Sequence, residues 1–290
     1  MNLSDAHNHL ASSRLAPHLP QIFADLAAAG ITHAVVNGTD ETDWLEVARL
    51  AATRSMVIPS YGLHPWDVGN RSPAWFDSLR QHLVADPRAA VGEIGLDRWM
   101  LDRARSDDPR LAGLRRAPLD EQLSTFTTQL ALATELHRPV TVHCIDAFGL
   151  LLETLQAAQR EQRLPPRFLL HAYSGAGELV KPFADLGAYF SFNAAYLAPR
   201  HVRLREVFQL VPRDRLLVET DAPAMQAPTA YAPFSLPAGP DGLRPNHPAN
   251  LAAAYAGLAE LRQEPLEILA SNIAENFRRL FEAKSTEASP

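Results

Sequence analysis

The sequence predicts an α/β chain wound as a (β/α)8 TIM barrel, and three observations predict it. Short apolar runs alternate with amphipathic stretches along all 290 residues, the pattern of parallel strands joined by crossover helices. The two kinds of segment keep different periods. Leu123, Phe126, Leu130 and Ala133 recur on one helical face, whereas Val140-Thr141-Val142 is a continuous β-branched run. Five of the strand-like runs also end in His, Glu or Asp, residues that packing alone gives no reason to place there.

In chain order, strands are expected at 3–7, 31–37, 56–62, 89–94, 139–143, 167–171, 188–192 and 215–219. Helical patterns fall between them, near 18–29, 41–54, 73–86, 118–137, 147–162, 176–186 and 201–211. A Pro/Gly-rich loop at about 222–245 follows the last strand, and helices near 247–262 and 265–282 complete the eighth unit. Residues 97–118 read as a long irregular connection holding Arg98, Arg103, Arg105, Arg110, Arg115 and Arg116, partly offset by Asp97, Asp102, Asp107 and Asp108. Loops of that length inside a domain are usually functional or disordered. No repeat or linker divides the chain. One domain over 1–283 is expected, with a small polar tail at 284–290.

Composition narrows the function classes. Hydrophobic residues make up 47%, enough for a sizeable core, and no apolar run approaches the roughly 18 residues of a membrane span. No basic n-region and apolar h-region opens the sequence, and the single cysteine, Cys144, excludes an internal disulfide. A cytoplasmic enzyme with no membrane partner is expected. Of 27 basic residues only Lys181 and Lys284 are lysines, a bias of GC-rich bacterial genomes. A net charge of −6 argues against an extensive surface for coating duplex DNA. It leaves room for an enzyme that holds a few nucleotides through bound cations.

The strand-end residues form a pattern of metal ligands. In such a barrel the strand C-termini converge on one face, where residues distant in sequence meet. His7 and His9 are two apart and point to the same side, suiting two imidazoles on one ion; Asp5 shares their parity one step deeper. Glu93 ends strand 4, where a carboxylate can bridge two ions. His143 and His171 end strands 5 and 6 and suit the second ion. Asp221 follows strand 8, which neighbours strand 1 on closure, and can complete the first shell and orient a water. The expected cofactors are therefore two divalent metal ions, Mg2+, Mn2+ or Zn2+, in a binuclear site at the C-terminal face of the strands. Such a site lowers the pKa of water from about 15.7 toward 7, and two ions about 3.5–4 Å apart can clamp a phosphodiester.

The segments Asp5-Ala-His7-Asn-His9, Gly62-Leu-His64-Pro65-Trp66, Val91-Gly-Glu93-Ile-Gly-Leu-Asp97, His143-Cys-Ile-Asp146, His171-Ala-Tyr173-Ser-Gly175, Leu217-Val-Glu219-Thr-Asp221-Ala-Pro223 and Glu275-Asn-Phe277 resemble the TatD family of metal-dependent hydrolases and nucleases, within the amidohydrolase superfamily. The resemblance spans nearly the whole chain. It implies a deoxyribonuclease, with His7, His9, Glu93 and Asp221 holding one ion and Glu93, His143 and His171 the other. It also places His64 near the substrate phosphate and makes Glu219 a residue that assists catalysis or holds a further ion. Candidate catalytic residues are then Asp221, Glu93, Glu219 and His64, and candidate substrate contacts are His64, Arg98 and Tyr173. Three features depart from the family pattern. Ile145 stands where an Arg is common, Asn246-His247-Pro248 replaces Asn-Glu-Pro, and the connection after strand 4 is long and Arg-rich.

The expected reaction is exonucleolytic hydrolysis of DNA at single-stranded ends. A small-molecule amidohydrolase or deaminase using the same cage is the alternative. A nuclease subunit of a multi-protein DNA-processing or phage-defence assembly is compatible with either. Among the remaining residues, Asp146 reads as an N-cap for the helix after strand 5 and Cys144 as packed beneath the site. His18, His33, His82, His137 and His201 read as surface, His247 is open, and the Arg-rich segment reads as a solvated loop of paired charges, with a DNA-contacting lid as the alternative.

Overall fold

A strand enclosed by helices on one side and by barrel interior on the other has no face for water, so its residues must be apolar on both. Most strands of this chain have that composition; the first, Leu3–Asn8, is instead largely polar and carries site residues. In a computed structural model, which describes residues 1–239 and 241–282, eight parallel strands form one sheet in sequence order among the described residues. The expected tail at 284–290 lies outside the described residues.

The elements run β1 (Leu3–Asn8), α1 (Leu19–Ala28), β2 (Ile31–Asn37), α2 (Trp44–Thr53), β3 (Val57–Tyr61), α3 (Trp75–Ala85), β4 (Ala90–Asp97), α4 (Trp99–Asp102), α5 (Leu119–Glu135), β5 (Val140–Ile145), α6 (Phe148–Arg160), β6 (Phe168–Leu170), α7 (Val180–Asp185), β7 (Ala188–Asn193), α8 (Val202–Leu210), β8 (Leu216–Glu219), α9 (Leu251–Arg262) and α10 (Leu266–Phe277). This is the expected (β/α)8 TIM barrel. Its largest apolar cluster joins strand residues such as Val35, Val91, Val142 and Leu217 to helix residues such as Ile22, Phe126, Leu155 and Phe208.

Strands 1 and 8 close the barrel through short-range chemistry just past the end of β8. The Asp221 amide donates to His7 O (3.0 Å) and the His9 amide to Ala222 O (2.7 Å). The buried Asp5 carboxylate accepts from Thr220 N (3.0 Å), Thr220 Oγ1 (2.6 Å) and His7 N (3.2 Å). Burial raises the pKa of Asp5 to about 7, and these three donors act against that rise.

Strand 4 runs three residues further than its expected end at Ile94, because Gly95 is not a breaker here. A Cβ at Gly95 would stand 1.9 Å from His143 O on β5, so only glycine allows β4 and β5 to pair through Gly95↔His143 and Asp97↔Ile145. The β4–β5 register shifts between Val91 and Ile94, and the β1–β2 register between Asp5 and Asn8. Such irregularities re-aim side chains at active sites, and these two flank Glu93 and His7.

Other boundaries moved for local reasons. The connection 97–118 contains α4 and a 3-10 turn at Pro109–Leu111, and 3-10 turns at Gly177–Leu179 and Pro248–Asn250 delay α7 and α9. Asp146 does not cap α6. Its φ is +56°, Ala147 is the N-cap residue, and the Asp146 carboxylate lies 3.3 Å from Arg103. Of the histidines expected at the surface only His137 is exposed; His18, His33, His82 and His201 are half-buried. Two glutamines on the buried face of α5 hold the barrel mouth. Gln129 clamps both backbone groups of Leu63 (2.7 and 3.2 Å), and Gln122 clamps those of Asp97 (2.8 and 3.2 Å).

A Gly95→Ala substitution should therefore destabilise the protein by at least about 3 kcal/mol, the upper range for overpacking a rigid interior. The drop in the denaturant midpoint measures it, and an unchanged midpoint would contradict the close β4–β5 approach.

Candidate metal centre

At the C-terminal ends of the strands one carboxylate, Glu93, is surrounded by five imidazoles. Its Oε2 lies 3.4 Å from His7 Nε2 and 3.2 Å from His9 Nε2. Its Oε1 lies 2.7 Å from His171 Nε2, 2.8 Å from His143 Nδ1 and 3.4 Å from His64 Nε2. Burial would raise the Glu93 pKa; His171, His64 and His7 and the hydrogen bond from His143 outweigh it and hold the carboxyl well below its ordinary range. Burial opposes charge on the imidazoles too. His9 and His171 are nonetheless pushed well above their ordinary range, by Asp221 and Glu93 for His9 and by Glu93 and Glu219 for His171.

Asp221 completes the first half. Its Oδ1 is 3.5 Å from His7 Nε2 and 3.4 Å from His9 Nε2, and the two nitrogens are 3.2 Å apart. At metal–ligand bonds of about 2.0–2.2 Å the corners of a tetrahedron are about 3.3–3.6 Å apart. Five of the six spacings among His7, His9, Glu93 and Asp221 run from 3.2 to 3.5 Å, close to such edges, so the donor set suits one divalent ion. On the other oxygen of Glu93, His143 Nδ1 and His171 Nε2 are 3.3 Å apart and fit a second ion bridged by that carboxylate. Three overlapping triads, His7/His9/Asp221, His7/Glu93/His171 and His64/Glu93/His143, lie within metal-chelating reach.

The outward nitrogens of two of these rings are fixed by acceptors, which sets which nitrogen faces inward. His9 Nδ1 lies 2.9 Å from Asn37 O, and His143 Nε2 lies 3.1 Å from Asp97 Oδ2. Asp97 is itself held by Trp66 Nε1 (2.7 Å) and Met100 N (2.9 Å). Its role is missing from the sequence reading, although it shares strand parity with Glu93, and that parity was the available signal. His64 is arranged differently. Its Nδ1 accepts from Trp66 N (3.2 Å), so Nε2 carries the proton and points a donor at the cluster; burial lowers its pKa and keeps it neutral.

Not every candidate reaches the cluster. Glu219 is fully buried behind His171, 3.8 Å from its outer nitrogen. There it accepts from Ser191 Oγ and Ala172 N, is too far from the His171 ring to hydrogen-bond it, and has no surface for a substrate. Tyr173 is also fully buried. It packs on Phe148 and Phe190 and donates to Ala176 O (2.9 Å), which removes it from the substrate contacts because no surface of it is open. Arg98 is 48% exposed and paired with Asp102 (2.8 Å), with its amide on Ile145 O. Arg103 arrives at the same strand end, so the cation absent at Ile145 has a neighbour supplied by the connection. Cys144 is buried in the core, and His247 caps the Pro248–Asn250 turn through Ala249 N while facing Asp25 (3.2 Å).

The residues matched by the family described as TatD-related DNase run from 4 to 282. A Klebsiella pneumoniae protein named 3'-5' ssDNA/RNA exonuclease TatD is 31% identical over 94% of this chain and 95% of its own length. A Bacillus subtilis protein named metal-dependent hydrolase YabD is 26% identical over 96% and 98%. Among solved structures, the TatD homologue YJJV from Escherichia coli superposes with a TM-score of 0.81 at 27% identity, covering 97% of this chain and 98% of that one.

An Asp97→Asn substitution should weaken divalent-metal binding about 10–100-fold, the usual cost of losing the acceptor behind a ligating histidine. Titration of zinc or manganese into stripped protein reads this directly. Unchanged affinity would remove Asp97 from that role.

Proposed function

The chain belongs to the TatD-related DNase family, and from that premise we propose that it removes nucleotides from single-stranded nucleic acid, from the 3′ end, using two divalent ions. It is a metal-dependent hydrolase acting on nucleic-acid ester bonds. The observation that carries the finer reading is the convergence of His7, His9, Glu93 and Asp221 at 3.2–3.5 Å beside a second pair of imidazoles on the same carboxylate. Residues 1–283 serve as one hydrolase domain in this reading. No helix among the described residues is long and apolar enough to cross a membrane.

Bound Mg2+, Mn2+ or Zn2+ would supply Lewis acidity at a phosphoryl oxygen and activate water near neutral pH. The protein's own part is positioning. His7, His9, Glu93 and Asp221 would hold one ion, and Glu93, His143 and His171 the other. Asp221, held in a left-handed backbone conformation (φ +51°) at the end of β8, turns its carboxylate into the mouth and orients the attacking water. His64 donates from Nε2 to a phosphate oxygen. Asp97 keeps His143 aimed. Arg98 and Arg103 lie where further phosphates of the strand pass.

Metal-stripped protein given Mg2+, Mn2+ or Zn2+ should shorten 5′-labelled single-stranded DNA stepwise while releasing a 3′ label at once. Glu93→Ala should lower the rate by more than about 10³-fold, beyond the loss of a single transition-state donor. Metal-replete protein that leaves DNA intact but hydrolyses a cyclic amide would return the site to small-molecule chemistry.

A further inference from the structure

A row of flat groups leads from the metal centre out along the β4–β5 side. His64, whose Nε2 is 3.4 Å from Glu93, meets Trp66 edge-on at 5.6 Å between ring centroids. Trp66 meets Trp99 at 5.9 Å with the rings 30° apart, and the Arg110 guanidinium lies 4.3 Å over Trp99. Both tryptophans are half-buried, and neither belongs to the apolar clusters that pack the barrel. The connection that carries Trp99 has other anchors. Arg116 donates to the carbonyls of Met100, Ala104 and Arg105, and Arg115 pairs with Glu121 (2.7 Å). Trp66 donates from Nε1 to Asp97 (2.7 Å), whereas Trp99 stands outside the barrel core, so barrel packing does not set its place in the row.

Charge points the same way. The loops after β2 and β3 bring Asp40, Asp43 and Asp67 near one another, an acidic side that a polyanion does not favour. The 97–118 connection carries six Arg against four Asp. A strand leaving the metal centre is steered past Trp66 and Trp99.

We propose that Trp66, Trp99 and Arg110 form a stacking subsite for an unpaired nucleobase of the strand whose phosphodiester lies at Glu93. This rests on the nucleic-acid reading above. Stacking on indole tolerates any base, since every base has a π face, and the guanidinium adds a cation beside the ring. The subsite holds the strand by its bases, whereas the ions and arginines hold it by phosphates.

The test compares kcat/KM of the metal-loaded enzyme on oligothymidylate and on an oligomer of the same length built from baseless tetrahydrofuran units. Wild type should favour the base-bearing strand about 5–150-fold, the range one stacked base supplies. Trp99→Leu should cut that preference at least about fivefold, and Trp99→Phe should keep most of it. The ratio is internal to each variant, so a general loss of activity or fold drops out. A Trp99→Leu ratio equal to wild type, or a wild-type ratio near one, overturns the subsite while leaving the nuclease reading intact. Wild-type protein that cleaves neither polymer overturns both.

Discussion

Everything at the mouth of this barrel answers to the buried carboxylate of Glu93. Five imidazoles surround it at 2.7–3.4 Å, and without them a carboxylate with so little access to water would take up a proton. The arrangement also explains its neighbours. Five strands must end at one height for five rings and a carboxylate to converge. The register shifts on β1 and β4 fall beside His7 and Glu93, where the demand to re-aim a side chain is greatest. Two of the rings, His9 and His143, are then fixed from behind by Asn37 O and Asp97.

Much of this was legible from the residues. Alternating periods gave the barrel, because β-branched runs and helical faces are written in single residues and their spacing. The six metal candidates all meet, because strand-end position and barrel closure together determine which side chains share a face. What was not legible depended on contacts between distant segments. Nothing in the residues marks the role of Gly95 until the carbonyl of His143 is seen against it. Asp146 reads as an N-cap until its left-handed backbone and Arg103 are seen. Tyr173 sits beside a metal candidate in sequence, yet it points the other way into the aromatic packing of the barrel wall. Asp97 reads as a counter-charge for nearby arginines, whereas it faces inward onto His143.

The 97–118 connection shows how far a sequence reading of a charged loop reaches. The pairing of its charges was correctly expected: Arg98 with Asp102, Arg105 with Asp107, Arg110 with Asp108. Pairs of this exposure add little to stability. Their effect is to hold a surface segment in one shape while its aromatic ring and net positive charge stand beside the centre. Substrate preference can then vary through this segment without disturbing the cage.

The seam between the first and last strands has a consequence for how the enzyme comes into being. Asp5 and Thr220, which join it, are 215 residues apart in the chain. His7 and His9 leave the ribosome early, but Asp221 joins them only after β8 has been made. A nascent chain therefore carries separate histidines and carboxylates without the cage that combines them. Hydrolytic power arrives in one step, once β8 is made and the ring shuts.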